Sequence, residues 1–201
     1  MHISSVESQA FHELRYLIAG KGGGTEVSRL PFLHARGDKL PGSCDALIIT
    51  SDLQGLVPRP NGVSCLLGVA VAEFLEELSR LRLIPSLDRC GAILAGDLFS
   101  ALEAGKRGGR GDVSEVWKAF GSRFAWTVGV AGNHDAFHAP SELAAMSDYR
   151  NTYLLDGEVF EINGTRLGGV SFISGNPERA GRRDLDDQLA LIDLVCESGL
   201  D

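Results

Sequence analysis

The spacing of apolar positions changes along this chain in a way that separates strands from helices. Ala46-Leu47-Ile48-Ile49-Thr50 is a short continuous apolar run with β-branched residues, the pattern of a buried strand. Pro58, Pro60, Asn61 and Gly62 mark the loop that follows. The spacing then becomes helical: Leu67, Val71, Phe74, Leu75, Leu78 and Leu81 recur on one face, with Ser64 placed as N-cap and Pro85 as terminator. Ala92-Ile93-Leu94-Ala95 repeats the strand pattern. A loop rich in glycine and arginine (105–111) leads to a short helix over 114–120, and 125–131 is a third apolar strand. Residues 158–163 and 166–173 flank Gly164-Thr165 and predict a β-hairpin. A last amphipathic helix is predicted over 184–197, with Leu185, Leu189, Ile192 and Val195 on one face. This alternation predicts an α/β layered fold with parallel strands in its first half.

Residues 1–44 are harder to read and are taken as an N-terminal extension or first strands, with the main domain spanning 45–201. Residues 10–19 fit either helix or strand, and the glycine stretch from Gly20 to Thr25 is a turn. No G-K-[ST] follows it, so it is not a phosphate loop.

Composition narrows the functional classes. The chain has 201 residues, which fits one domain or most of a larger one, and its apolar fraction of 44% supports one sizeable core. With 27 acidic against 19 basic residues the net charge is -8, which argues against a broad nucleic-acid surface. Phosphate substrates stay open, because bound divalent metals reverse the local field. Cys44, Cys65, Cys90 and Cys196 form no C-x-x-C pair and read as reduced thiols. No signal-peptide pattern opens the chain, and the run from Leu66 to Ile84 is interrupted by Glu73, Glu76, Glu77, Arg80 and Arg82. A cytoplasmic protein without a membrane partner is therefore expected.

Chemistry-bearing residues gather directly after the three apolar strands: Ser51-Asp52-Leu53-Gln54-Gly55, Gly96-Asp97-Leu98-Phe99 and Gly132-Asn133-His134-Asp135. In an open α/β sheet, ligands bind beyond the carboxyl ends of the strands, so these segments can converge on one rim. Carboxylates and amide oxygens suit Mn, Mg or Fe, and imidazole extends the choice to Zn. Taken singly, each Asp reads equally as a helix cap.

The ordered trio resembles the calcineurin-like metallophosphoesterase superfamily, whose D-x-H, G-D-x-x-[DE] and G-N-H-[DE] motifs end strands of a layered β-sandwich flanked by helices. The resemblance covers about 46–135 and continues loosely through 166–170. It implies a fold of that type and hydrolysis of a phosphomonoester or phosphodiester by a metal-bound hydroxide at a binuclear centre. Asp52 and Gln54 would bind the first ion, Asp97 would bridge both, and Asn133 would bind the second. Of the divalent ions Mn is expected first, with Fe, Zn and Mg open. His134 would lie beside the substrate phosphate as proton donor or transition-state stabiliser, with Asp135 orienting it.

The chain departs from the family's pattern in several places. Gln54 stands where the first motif has His, and Ser100 where the second has an acid. The five histidines are His2, His12, His34, His134 and His138, so the family's later histidine motifs are missing. A fold incomplete at its C-terminal side is expected, either as a fragment or as a shortened relative. Two basic groups could meet phosphate: Lys106, Arg107 and Arg110, or Arg179, Arg182 and Arg183. Arg182 and Arg183 are preferred, because the hairpin should return toward the site, where Asn133 and His134 would also contact substrate. A degenerate, non-catalytic metal-binding or interaction module stays open as an alternative. So do a DNA-repair nuclease of the same superfamily and a homo-oligomeric state.

Overall fold

A computed structural model of the protein describes residues 2–20, 23–41, 44–101, 109–137 and 151–200. Lys106, Arg107 and His138 lie outside the described residues. The regular structure described in the N-terminal part is all strand. β1 (Ile3–Val6), β2 (His12–Ala19), β3 (Thr25–Phe32) and β4 (Ala35–Gly37) form two antiparallel pairs, β1 with β4 and β2 with β3. The stretch that fits either helix or strand in sequence is thus resolved as β2. Pairing across the glycine turn, from His12 opposite Phe32 to Ala19 opposite Thr25, decides it.

β5 (Ala46–Thr50) matches the first apolar run residue for residue. β6 (Leu56–Pro58) and β7 (Ser64–Leu66) then pair with one another, and β6 joins the N-terminal hairpin through Leu17 opposite Leu56. Ser64 is consequently a ladder residue, paired with Pro58, and not the expected N-cap. Helix α1 (Leu67–Arg80) starts without a side-chain cap, and the Gly55 carbonyl takes the Leu67 N–H at 2.8 Å. The helix closes before Pro85, where Arg82 turns left-handed at φ 60.

β8 (Cys90–Ala95) follows, then the two-residue β9 (Gly111–Asp112), α2 (Ser114–Gly121), β10 (Trp126–Val130), the two-residue β11 (Asp135–Ala136) and β12 (Thr152–Leu154). β12, β10, β8 and β5 lie side by side in that order, every pair parallel, so the expected parallel α/β sheet is present. Helical crossovers join parallel strands because the chain must return to the same end of the sheet, and α1 and α2 do this here.

Alternation along the strands sends side chains to two cores. Cys90, Ala92 and Leu94 enter the larger one with Leu67, Val71, Leu75, Val116, Trp117 and Phe120, and Leu14, Leu30 and Phe32 of the hairpin pack against it. Trp126 and Val128 face the other way and meet Leu155 and Phe160. Each fully buried Leu, Val or Phe side chain contributes about 1.5–3 kcal/mol. The second core is roofed by the predicted hairpin, β13 (Glu158–Ile162) with β14 (Thr165–Gly169). The short pair β15 (Ile173–Ser174) and β16 (Arg182–Arg183) and helix α3 (Leu185–Glu197) complete the described chain. No described helix is long and apolar enough to cross a membrane.

The face of α3 differs from expectation. Leu185, Leu189 and Ile192 are exposed, at 59%, 47% and 40%. Val195 of the expected face is buried, against Gly168, and Leu191, against Gly157, joins it in docking the helix on the hairpin side. Amphipathic spacing identifies a face that can be buried, and the partner surface selects which face is buried.

Burial also separates the thiols. Cys90 is buried, and that burial, helped by neighbouring Cys44 and Asp45, pushes its pKa up to about 11. The folded state therefore holds the Cys90 proton more tightly than the unfolded chain, and this contribution to stability is lost as pH rises through about 11. Alkylation of the native protein at pH about 8, read by mass spectrometry, should label exposed Cys196 and leave Cys90 unmodified until denaturant is added.

Candidate functional site

Parallel register brings the three sequence segments to one rim. Thr50 pairs with Leu94 and Ala95 with Val130, so β5, β8 and β10 end level and release Asp52, Asp97 and Asn133-His134-Asp135 side by side. Hydrogen bonds join the loops that follow. The Asp52 N–H donates to the Gly96 carbonyl at 3.0 Å, and the His134 N–H donates to Asp97 Oδ1 at 3.2 Å. A Cβ added to Gly132 would stand 2.1 Å from Asp97 Oδ1, so the close approach of the second and third loops requires glycine there.

Asp52 and Asp97 share an uncommon backbone state. Their φ angles are 53 and 55, in the left-handed region that costs an L residue about 1–2 kcal/mol and that Asp enters more readily than most. Strain repeated at equivalent positions after adjacent strands, in the two aspartates singled out by sequence, marks a candidate functional rim. The left-handed residue turns each loop sharply at the end of its strand.

Asp135 is fully buried and holds the rim together. Its Oδ1 accepts the N–H groups of Leu98 and Phe99 at 2.7 and 3.0 Å, and its Oδ2 accepts that of Gly132 at 2.8 Å. Burial pushes its pKa up, the three N–H donors oppose the rise, and the charge of Asp97 adds to it. The expectation that Asp135 orients the His134 ring is corrected. The ring nitrogen Nδ1 lies 2.6 Å from the Gly109 carbonyl oxygen, while both Asp135 oxygens are engaged by main-chain donors. Asp135 acts on the histidine only through the backbone it pins.

The arginines divide. Arg183 is committed within the fold, donating to Asp156 Oδ2 at 2.7 Å and Gln188 Oε1 at 3.1 Å, with its guanidinium 5.7 Å from the centre of the Phe172 ring. Its assignment to substrate is therefore corrected: a half-buried fork held by Asp156 and Gln188 is a structural clamp. Arg182 makes no ion pair among the described residues, and it follows Gly181, where an added Cβ would be 2.6 Å from the Asn133 carbonyl oxygen. The segment carrying Arg182 thus lies directly against the Asn133-His134 loop. Arg110 is exposed.

Metal-ligating capacity at the rim resides in hard oxygen donors. Among the described residues no three His, Cys, Asp or Glu side chains gather at one point. The carboxylates are the pair Asp52 and Asp97; the amides of Gln54 and Asn133 are half-buried and carry no side-chain hydrogen bond among the described residues. The Asp52 Oδ2 accepts the neighbouring Ser51 hydroxyl at 2.7 Å. Carboxylate and amide oxygens of this kind fit Mg or Mn better than Zn.

Sequence reasoning missed the Gly109 carbonyl and Ser171. The Ser171 hydroxyl accepts the Ala131 N–H at 2.9 Å and donates to the Leu155 carbonyl at 2.7 Å, tying the strand before the third motif to the hairpin side. Neither has a distinguishing sequence signal, since one is a backbone atom and the other an ordinary serine beyond the motifs. In comparisons with known families, characterised proteins and solved structures, the chain matches none.

Proposed function

We propose that this chain is a metal-dependent phosphoesterase of the calcineurin-like type, hydrolysing a phosphomonoester or phosphodiester. The observation that carries it is the meeting of two left-handed aspartates, Asp52 and Asp97, with His134 at the ends of adjacent parallel strands. The consecutive parallel order of β5, β8, β10 and β12, with a hairpin roofing the second face, supports a sandwich of the metallophosphoesterase kind. Asp52 and Gln54 would hold one divalent ion, Asp97 both, and Asn133 the other. Bound ions would supply Lewis acidity toward the phosphoryl oxygens and make water a nucleophile near neutral pH. His134 stabilises the charge developing on phosphate or hands a proton to the leaving oxygen. Asp135 keeps both loops in register, and Arg182 draws the phosphate to the rim.

Elemental analysis of protein purified with Mn, paired with rates on a generic phosphomonoester and a bis-aryl phosphodiester, tests this. Close to two ions per chain with turnover of either ester supports it. A metal-free chain inactive on both refutes it. The second reading, a non-catalytic interaction module, is favoured by the exposed apolar row Leu185, Leu189 and Ile192 on α3, and the same experiment separates the two.

The two arginines give a sharper expectation. Arg182→Ala should raise KM about tenfold, the loss of one charge-assisted hydrogen bond, and leave Tm unchanged. Arg183→Ala removes the Asp156 pair, costing about 1 kcal/mol, and should lower Tm by about 2–4 °C with little change in KM. Steady-state kinetics and thermal melts on both variants check this.

A further inference from the structure

We infer that the main-chain carbonyl of Gly109 fixes the tautomer of His134, placing the proton on Nδ1 and leaving Nε2 as the nitrogen that exchanges a proton with the substrate. The assignment of Nε2 to that task rests on the phosphoesterase reading; the tautomer itself does not.

The contact is 2.6 Å from Nδ1 to the Gly109 oxygen. A peptide carbonyl oxygen has lone pairs and no hydrogen, so it can only accept. Nδ1 must then carry the hydrogen, whether the ring is neutral or charged. In the neutral ring this leaves the lone pair on Nε2, across the imidazole from the loop.

The chain grips His134 at two points. Besides the ring contact, the Gly111 N–H donates to the His134 carbonyl at 3.1 Å, and the Val113 N–H donates to the Ala136 carbonyl at 3.1 Å. Strands β9 and β11 pair in parallel through these bonds, Gly111 with Asp135 and Ala136 with Asp112. Gly109 therefore sits at the end of a short ladder that runs alongside the third motif. Its own φ is 118, a conformation that side chains rarely adopt, so glycine is required to aim this carbonyl. A Cβ at Gly111 would stand 2.2 Å from the Phe99 ring, and the Phe99 N–H is itself bound by Asp135. The ladder, the aromatic ring and the buried carboxylate thus hold one another.

Among the described residues no carboxylate bonds to Nδ1. The adjacent acid, Asp135, gives both oxygens to backbone donors, and Asp97 Oδ1 receives the main-chain N–H of His134, not its ring. The partner that selects the tautomer is consequently a neutral carbonyl supplied by a glycine-rich segment far from the motif in sequence.

Long-range 1H–15N correlation NMR of the full chain labelled with 15N-histidine tests this, with the ring signals of residue 134 assigned by their loss in His134→Gln. At pH about 8 the expected result is a protonated-type Nδ1 and a bare-type Nε2. A bare-type Nδ1 with a protonated Nε2 overturns the inference. Gly109→Ala should shift the population toward the other tautomer and lower kcat about tenfold with KM within about twofold. An unshifted tautomer in a folded Gly109→Ala protein overturns the inference as well. If that variant fails to fold, the wild-type spectrum alone decides. A protonated Nδ1 in a protein that hydrolyses neither ester upholds the tautomer and refutes the phosphoesterase reading, so the two failures are distinguishable.

Discussion

Replacing Asp135 by asparagine should lower the unfolding free energy by about 2–3 kcal/mol, and Tm by about 5–10 °C. The side chains have nearly the same shape, so the effect isolates hydrogen bonding. An asparagine carbonyl can keep the two N–H groups of Leu98 and Phe99, but its NH2 would then face the Gly132 N–H, donor against donor, inside a buried site. Asp135→Ala should cost more, because it leaves three main-chain donors, that of Leu98 fully buried, without an acceptor. The pH dependence has a definite sign. Burial raises the folded-state pKa of Asp135 above its unfolded value, so the folded protein binds that proton more tightly. The associated stability is present in full below the unfolded carboxylate pKa and is lost as pH rises through the folded one. The gap between wild type and Asp135→Asn should therefore be widest in acid and narrow toward neutrality, which melts between pH about 3 and 8 would show. A gap that widened toward neutrality would mean that the three N–H donors outweigh burial.

Asp97→Asn should behave in the opposite way, keeping the fold and losing the chemistry. Asparagine also enters the left-handed region that Asp97 occupies at φ 55, and its carbonyl oxygen can still accept the His134 N–H. Tm is therefore expected to stay within about 2 °C of wild type. Metal content should fall below one ion per chain, because the proposed shared ligand loses its charge, and hydrolysis should slow by about 10³-fold or more. Asp97→Val makes the useful contrast: a β-branched residue is strained at positive φ, so this variant should lose stability as well as metal. Full metal and full activity in a folded Asp97→Asn protein would remove Asp97 from the centre.

Much of the fold was legible in the sequence. The apolar runs at 46–50 and 92–95 match β5 and β8 closely, and the hairpin around Gly164-Thr165 is present as expected. Ser64 differs from expectation because a helix cap and a strand residue look alike until the ladder with β6 is formed. Most of the expected face of α3 differs for a related reason. Leu185, Leu189 and Ile192 have the right spacing for a buried stripe, yet Leu191, against Gly157, and Val195, against Gly168, are the residues that meet the hairpin side.

By itself the sequence determined the main apolar strands, the hairpin and the helices, and that Asp52, Asp97 and His134 follow the strands. Periodicity and turn residues are local properties, and the end of a strand is a local position. Tertiary structure alone decided which groups these residues touch. Asp135 binds an N–H 37 residues away, His134 meets a carbonyl 25 residues away, and Arg183 pairs with Asp156 across 27 residues. The first two partners are backbone N–H and C=O groups, which nearly every residue carries, so no residue type could mark them in advance. Only the register of β5, β8 and β10, and the short ladder of β9 with β11, selected those groups from all the equivalent ones.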